Sequence, residues 1–170
     1  MSIEGHIVLN REKETVIKIV GATGGATFWI DLGATAPFNT GATAYDAALV
    51  GSTGIGIVDS RQQLNGKPVE VNILGMSWTG HYDTVINVKR GGNNVYTLPS
   101  TAATFIDLQG QDMPSDSTHN SEDISVEFEN TNDGGHGELM IRLRKEAGYD
   151  TKNEEAVYGS YNDPSKVGSL

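Results

Sequence analysis

The sequence predicts an all-β protein, an antiparallel β-sandwich of jelly-roll-like type with extended N- and C-terminal arms. Two strand–turn–strand units indicate this fold class most clearly. In the first, residues 84–90 lead into Gly91-Gly92-Asn93-Asn94, the composition of a tight hairpin turn, and residues 95–98 return. In the second, apolar and polar residues alternate over 124–129 and again over 138–144. We expect the apolar side chains of both halves to face one core.

A third observation extends this class to most of the chain. Glycine makes up 21 of the 170 residues, which is typical of short strands joined by tight turns. In all, about nine or ten strands are predicted, at the spacing of sandwiches and barrels. Besides the two units, the predicted strands are 15–20, 27–32, 55–59, 69–74, 75–78 and 101–107.

The rest of the chain is placed around this body. A chain of 170 residues suits one domain. We expect an N-terminal arm over 1–14, a single β-sandwich domain over 15–145, and a C-terminal arm or flexible tail over 146–170. A loop and then a short helix or strand at 45–50 is expected within the domain. The last segment is poor in aliphatic residues, so it cannot offset its own ordering entropy except on a neighbour. The predicted partner-binding residues of the arms are Arg11, Lys13, Tyr149, Tyr158 and Tyr161.

Charge and composition exclude several function classes. The formal net charge is −10, and the stretch from Asp107 to Glu138 has nine acidic residues and no Lys or Arg. Such a field repels phosphate backbones and anionic membrane surfaces, so we expect no direct nucleic-acid binding and no membrane partner. The absence of cysteine removes disulfides and thiol catalysis. No apolar run approaches the roughly 20 residues that cross a bilayer.

The acidic loop at 111–123 is the candidate metal site, with Asp112, Asp116 and Asp123 as its candidate ligands. Calcium and magnesium need several converging oxygen ligands, and the spacing here matches no EF-hand loop. The pattern therefore favours a solvated loop, and we expect no metal and no cofactor. A metal-assisted hydrolase that uses this loop with His119 or His136 is the enzymatic alternative.

The glycine-rich segment 130–137 offers one more acid–base possibility, because His136 lies near Glu138. Glycines at 134, 135 and 137 instead favour a wide turn that needs positive φ angles. The four histidines show no zinc-binding spacing. We therefore expect no catalytic residues.

Aromatic residues suggest a sugar-binding platform as another possibility, formed by Trp29, Trp78 and Tyr82. Trp78 lies two residues from Met76 on the same face of a predicted strand, which places it in the core. In the strand 27–32, Trp29 is expected on the face opposite the apolar residues. The sugar platform remains open as the minority interpretation.

An ordered series of motifs carries a family resemblance. It consists of Trp78, the strand and Arg-Gly-Gly-Asn turn within 84–98, Asp-Leu-Gln-Gly at 107–110 and the final Gly-Glu-Leu-Met-Ile-Arg-Leu-Arg-Lys strand at 137–145. This series resembles virion structural proteins of tailed bacteriophages, of a type seen in marine and cyanobacterial phages. The similarity covers about residues 76–145. It implies a non-enzymatic virion component, in particular a capsid decoration or cement protein on the outer surface of the head.

The resemblance also implies a location and partners. The protein would be made in the host cytoplasm and reside in the virion, bound to the major capsid protein or other virion proteins. Because shells are symmetric, we expect a homo-oligomer, with a trimer as the first expectation and a dimer as the second. The alternative is a glycan- or host-surface-binding module of a phage fibre or baseplate, which the aromatic platform would serve.

Overall fold

The computed structural model of the chain describes residues 3–22, 27–35, 53–81, 83–99, 104–107, 119–130 and 135–151. These residues confirm the all-β class, because about 78% of them lie in strands and none lies in a helix. Within the described ranges the strands, in chain order, are β1 (Glu4–Asn10), β2 (Glu14–Ala22), β3 (Thr27–Thr35), β4 (Thr53–Val58), β5 (Gln62–Leu64), β6 (Glu70–Gly80), β7 (Thr84–Arg90), β8 (Asn93–Pro99), β9 (Thr104–Asp107), β10 (Ile124–Asn130), β11 (His136–Ala147) and β12 (Tyr149–Thr151).

The strands form two five-stranded sheets and a two-stranded ribbon. Sheet A has the order β1-β2-β11-β6-β9, sheet B has the order β4-β3-β10-β7-β8, and the ribbon pairs β12 with β5. Neither large sheet is closed on itself. The predicted strands 69–74 and 75–78 are one continuous strand, β6.

One pairing departs from the predicted antiparallel arrangement. Strand β4 runs parallel to β3, so sheet B is mixed and the expectation of a wholly antiparallel body is wrong here. A parallel pair needs a crossover connection of a dozen or more residues, and residues 36–52 connect these two strands. The helix or strand predicted at 45–50 falls in this connection and lies outside the described residues.

The first predicted strand–turn–strand unit is confirmed as the hairpin β7–β8. Its two turn glycines have left-handed backbone angles, with φ of 55° at Gly91 and 79° at Gly92. Positive φ at both central residues is the requirement of the tight hairpin turn whose twist matches that of the flanking strands.

The second predicted unit folds differently from a hairpin. Strand β10 lies in sheet B and β11 lies in sheet A, so their apolar rows face the same core from opposite sides. Gly137 lies within β11 without a left-handed angle, so the turn explanation given for this glycine is wrong. A Cβ atom at Gly137 would lie 2.8 Å from ring carbons of Phe128. Glycine is needed there because the two sheets approach closely.

The core lies between the inner faces of sheets A and B and is formed by both. Trp78 belongs to it, as predicted: it is 7% exposed, and its Nε1 donates a 3.0 Å hydrogen bond to the carbonyl oxygen of Pro99. Trp29 is half-buried on the opposite face of β3. The largest fully buried side chains are Phe28, Phe128, Ile17, Ile19, Ile30, Leu32, Ile57, Ile86, Ile124, Leu139, Ile141 and Leu143.

A buried arginine joins the two sheets at one end of this core. Arg90 continues the inward row of β7, and its guanidinium donates hydrogen bonds of 2.6 Å to the carbonyl oxygens of Val71 and Asn120. It also donates to the carbonyl oxygen of Glu122 at 3.1 and 3.2 Å. Arg90 therefore connects β7 of sheet B to β6 of sheet A and to the segment before β10.

The described residues of both expected arms, next to the domain, belong to the folded body. Residues 4–10, expected within an N-terminal arm, form the edge strand β1 and pair with β2. At the other end, β11 and β12 carry the strand pairing to Thr151, beyond the expected domain limit at 145. Residues 152–170, with Tyr158 and Tyr161, lie outside the described residues.

Candidate functional site

The outer face of sheet A carries an apolar groove, which we call the sheet A groove. Strands β2 and β11 place alternate side chains on this face, and among them are Val16 and Met140. Leu74 of β6 and Phe105 of β9 add to the apolar lining of a groove of about 370 Å³. Phe105 is 73% exposed. An apolar groove on a solvent-facing sheet surface is a feature typical of a docking site.

Two ionisable residues, Asp107 and Arg142, line the groove with these apolar side chains. Arg142 forms an ion pair with Glu14 of β2, and the hydrogen bond from its Nε to the carboxylate raises the pKa of the guanidinium. Nearby on the same face, the Nζ of Lys18 lies 3.2 Å from Oε1 of Glu138. The groove therefore has an apolar floor and a rim with both charge signs, which suits a protein surface of mixed character.

A second cluster, the lysine clasp, lies at the end of β11 and consists of Asn10, Arg11, Gln62, Lys145 and Tyr149. Lys145 is 5% exposed. Its Nζ donates hydrogen bonds to Oδ1 of Asn10 (2.9 Å), the carbonyl oxygen of Arg11 (3.1 Å) and Oε1 of Gln62 (2.6 Å). The ring of Tyr149 lies beside the ammonium group, with 5.4 Å between Nζ and the ring centroid.

Burial sets the ionisation of the clasp. Desolvation lowers the pKa of Lys145 to about 8, against an opposing effect of the negative charge of Asp59. Burial likewise raises the pKa of Tyr149, and the negative charges of Asp123 and Asp31 raise it further. The Tyr149 hydroxyl donates a 2.7 Å hydrogen bond to the carbonyl oxygen of Leu32. The clasp therefore holds a lysine that loses its proton easily beside a tyrosine that keeps it.

Three of the predicted arm residues meet at this cluster. The backbone of Arg11 accepts the bond from Nζ described above, and the carbonyl oxygen of Lys13 accepts a 2.9 Å bond from the backbone N–H of Lys145. Both side chains are exposed. Tyr149 is half-buried against Lys145 instead of extending away. The N-terminal turn and the start of the C-terminal segment therefore lie side by side.

Lys145 itself was not among the predicted site residues. The signal for it was present in the alternation of the last strand, because the row that points Leu139, Ile141 and Leu143 inward continues to position 145. A lysine at an inward position must find hydrogen-bond partners or lose its charge.

The predicted metal ligands do not form a site in the part of the chain that is described. Asp123 accepts a 2.9 Å hydrogen bond from the backbone N–H of Leu32, which ties the start of β10 to β3. Asp112 and Asp116 lie outside the described residues. Within the described ranges, no group of three or more His, Asp or Glu side chains is arranged to hold a metal ion.

The histidines considered for catalysis contact a second histidine or a single carboxylate. His136 stacks at a tilt beside His81, with 6.3 Å between ring centroids, and the Nδ1 of His81 lies 2.6 Å from Oδ1 of Asp83. Glu138, the suggested partner of His136, forms the ion pair with Lys18 instead. His119 lies with its Nδ1 3.5 Å from the carboxylate of Glu122.

No protein-family model matches the chain, and neither a curated protein nor a solved structure matches it. Among the residues described, no helix has the length and apolar character needed to cross a membrane. The resemblance to phage virion proteins therefore remains a prediction.

Proposed function

We propose that the chain is a non-enzymatic structural protein of a phage virion, a capsid decoration or cement protein that docks on the outer surface of the head through the sheet A groove. The observation that carries this proposal is the exposed Phe105 beside an apolar groove on an outward sheet face. Folding requires apolar side chains on the inner faces alone, whereas contiguous apolar surface outside is typical of interaction sites.

The proposed body is a β-sandwich of jelly-roll-like type. Its support is the single core that the inner faces of the two five-stranded sheets share. Close approach of the sheets at Gly137 and the arginine link at Arg90 would make this body rigid. A rigid body is what a clamp on a symmetric shell needs, because flexible surfaces lose ordering entropy on binding.

The proposed partners are the major capsid protein, or other virion proteins, and further copies of the chain. Attachment at several equivalent points lets modest contacts sum to lasting binding, so we propose a homo-oligomer, first a trimer and second a dimer. The net charge of −10 is unfavourable for direct contact with nucleic acid or anionic membranes. The site of action would be the virion exterior, after synthesis in the host cytoplasm.

The test is binding of the purified chain to expanded, undecorated shells of the phage that encodes it, measured by co-sedimentation. We expect saturable, stoichiometric binding by the wild type and a loss of at least tenfold in affinity for Met140→Asp, which places a charge in the groove. The matched control is Thr97→Asp, an exposed position of β8 in sheet B. Absence of binding to any shell or virion part would contradict the proposal. An equal loss of shell affinity in both variants would show that the sheet A groove is not the docking surface.

The glycan-binding alternative has less support. Trp78 is enclosed in the core and cannot stack on a sugar, while Tyr82 lies outside the described residues. Trp29 remains, half-buried on the outer face of sheet B. Saturable binding on a glycan array that Trp29→Ala abolishes would favour this alternative over the capsid role.

A further inference from the structure

The lysine clasp brings an amine and a carboxamide together from two distant parts of the chain. Asn10 ends β1 and Lys145 lies near the end of β11, and β2 separates these strands in sheet A. The Nζ of Lys145 lies 2.9 Å from Oδ1 of Asn10. Since a C=O bond is about 1.2 Å long, the amide carbon of Asn10 lies within about 4 Å of Nζ. This separation is close to the distance at which bound nucleophiles react.

The other partners of Nζ orient it for attack. A neutral amine has two N–H groups and one lone pair. The proton that Nζ donates to Oδ1 of Asn10 is the one to be lost: the two remaining N–H groups then donate to Oε1 of Gln62 and the carbonyl oxygen of Arg11, and the lone pair lies on the side of Asn10, from which a small rotation brings it over Cγ. Burial favours this neutral form, because it lowers the pKa of Lys145 to about 8. Roughly one molecule in ten then carries a neutral Lys145 at pH 7.

The carboxamide of Asn10 is polarised by a second donor. The hydroxyl of Thr15, which is fully buried, donates a 2.8 Å hydrogen bond to Oδ1 of Asn10. A donor placed on this oxygen stabilises the negative charge that develops when a nucleophile adds to the carbon. Burial of both Lys145 and Thr15 also strengthens this hydrogen bond, because electrostatic interactions are stronger where water is excluded.

We propose that Lys145 and Asn10 join in an intramolecular isopeptide bond. The lone pair of Nζ adds to Cγ of Asn10, and the π electrons of the C=O bond move to Oδ1. The hydrogen bond from the Thr15 hydroxyl stabilises the negative charge on Oδ1. The C=O bond re-forms, the bond from Cγ to Nδ2 breaks, and the proton given up by Nζ goes to Nδ2. Ammonia leaves, and a secondary amide joins the two side chains. No oxidant, reductant or further reactant is consumed.

Gln62 is the competing carboxamide, and its contacts make it the weaker acceptor. Its Nε2 donates a 2.6 Å hydrogen bond to the carbonyl oxygen of Glu12, which holds the nitrogen that would have to leave. Its Oε1 accepts its second bond, from the backbone N–H of Asp59, at 3.2 Å, longer than the Thr15 bond to Asn10. Gln62 therefore serves to position Nζ.

The bond would fasten the first strand of sheet A to its last long strand. Nearly the whole folded body lies between residues 10 and 145, so the bond would close one large loop across it. Such a link limits the unfolded ensemble in the way that a disulfide does, in a chain without cysteine. It would also keep the edge strand β1 attached to sheet A when mechanical force acts on the proposed virion.

The experiment is intact mass spectrometry of the full chain after purification and again after incubation at pH 9, where more of Lys145 is neutral. We expect a mass below the sequence mass by one molecule of ammonia, and a proteolytic fragment that joins the peptides of Asn10 and Lys145. The variants Lys145→Arg and Asn10→Ala should keep the sequence mass, and Thr15→Val should slow the loss. The matched control Lys18→Arg, at a half-buried lysine on the outer face of neighbouring β2, should lose ammonia as the wild type does.

The wild type alone is enough to refute the proposal, so its test does not depend on whether the variants fold. Folded wild type that keeps its sequence mass after incubation at pH 9 would overturn it. Loss of ammonia confined to a single peptide, as in succinimide formation, or a cross-link from Lys145 to Gln62, would overturn it equally.

Discussion

The outer faces of the two large sheets differ although their inner faces share one core. On the outer face of sheet B, polar side chains pair with each other beside the half-buried Trp29: the Nζ of Lys89 lies 2.5 Å from Oε2 of Glu127, and the hydroxyl of Thr27 donates to the same carboxylate at 3.3 Å. On sheet A, Met140 and Phe105 belong to an open apolar groove. The alternation of each strand requires apolar residues inside and leaves the outside unconstrained. The apolar residues of the groove are therefore not explained by the core that the two sheets share.

The largest effect on stability should come from the shared core. Phe128→Ala removes a ring that lies over Gly137 and Gly21 of the facing sheet, and should lower the free energy of unfolding by about 2–5 kcal/mol. Ile141→Ala, on sheet A, should cost a similar amount. Denaturant unfolding measures both changes. Midpoints equal to that of the wild type would show that the sheets do not share this core.

A smaller effect on stability should distinguish an inward-facing from an outward-facing position of β7. Arg90→Leu removes the hydrogen bonds that the buried guanidinium donates to the carbonyl oxygens of Val71, Asn120 and Glu122 and should cost about 3 kcal/mol. The adjacent Lys89→Leu removes an ion pair on the outer face and should cost about 1 kcal/mol or less. Thermal unfolding of the two variants side by side gives the comparison. Equal losses would contradict the assignment of Arg90 as the link between the sheets.

A pH-dependent effect should appear at Tyr149, where the start of β12 meets β3 of sheet B. Burial raises the pKa of Tyr149, so the folded chain keeps the phenol proton above pH 10 while the unfolded chain loses it. Stability should therefore fall by about 1 kcal/mol between pH 10 and pH 11, and Tyr149→Phe should remove this part of the decline. Melting curves across this range test the sign. Identical pH dependence in both proteins would mean that Tyr149 is solvated.

Substitutions in the sheet A groove should have the smallest effect on stability and the largest effect on shell binding. Phe105→Ala should change the free energy of unfolding by less than about 0.5 kcal/mol, because its side chain is 73% exposed. The same variant should weaken shell binding, while Thr97→Ala on sheet B changes neither quantity. Marked destabilisation by Phe105→Ala would show that Phe105 packs in the body and is no docking residue.

The sequence was a good guide to strands and to inward-facing residues, and a poor guide to pairing. Alternation placed Ile124, Val126 and Phe128 inward, but it could not show that β10 and β11 lie in different sheets. Strand β1 was expected as part of an arm because residues 1–14 are mostly polar and charged. The strands β5 and β12 were missed because Gln62–Leu64 and Tyr149–Thr151 are too brief for a period to show. They form because neighbouring strands offer them backbone partners.

Neither candidate site was predicted from the sequence. Arg11, Lys13 and Tyr149 were expected as partner-binding residues of the arms; they lie near Lys145 in the folded body, and their binding of a partner stays a prediction. The groove was not foreseen, since Val16, Leu74 and Phe105 come from three strands that no local pattern relates. The acidic candidates Asp112 and Asp116 remain outside the described residues.

By itself, the sequence determined the all-β class, the glycine turn at 91–92 and the inward rows, because each depends on the conformational preferences of a few consecutive residues. The tertiary structure decided the parallel pair β3–β4, the order of strands in the sheets and the meeting of Asn10 with Lys145. These depend on contacts between residues far apart in the chain, whose free energy appears only when the whole core closes.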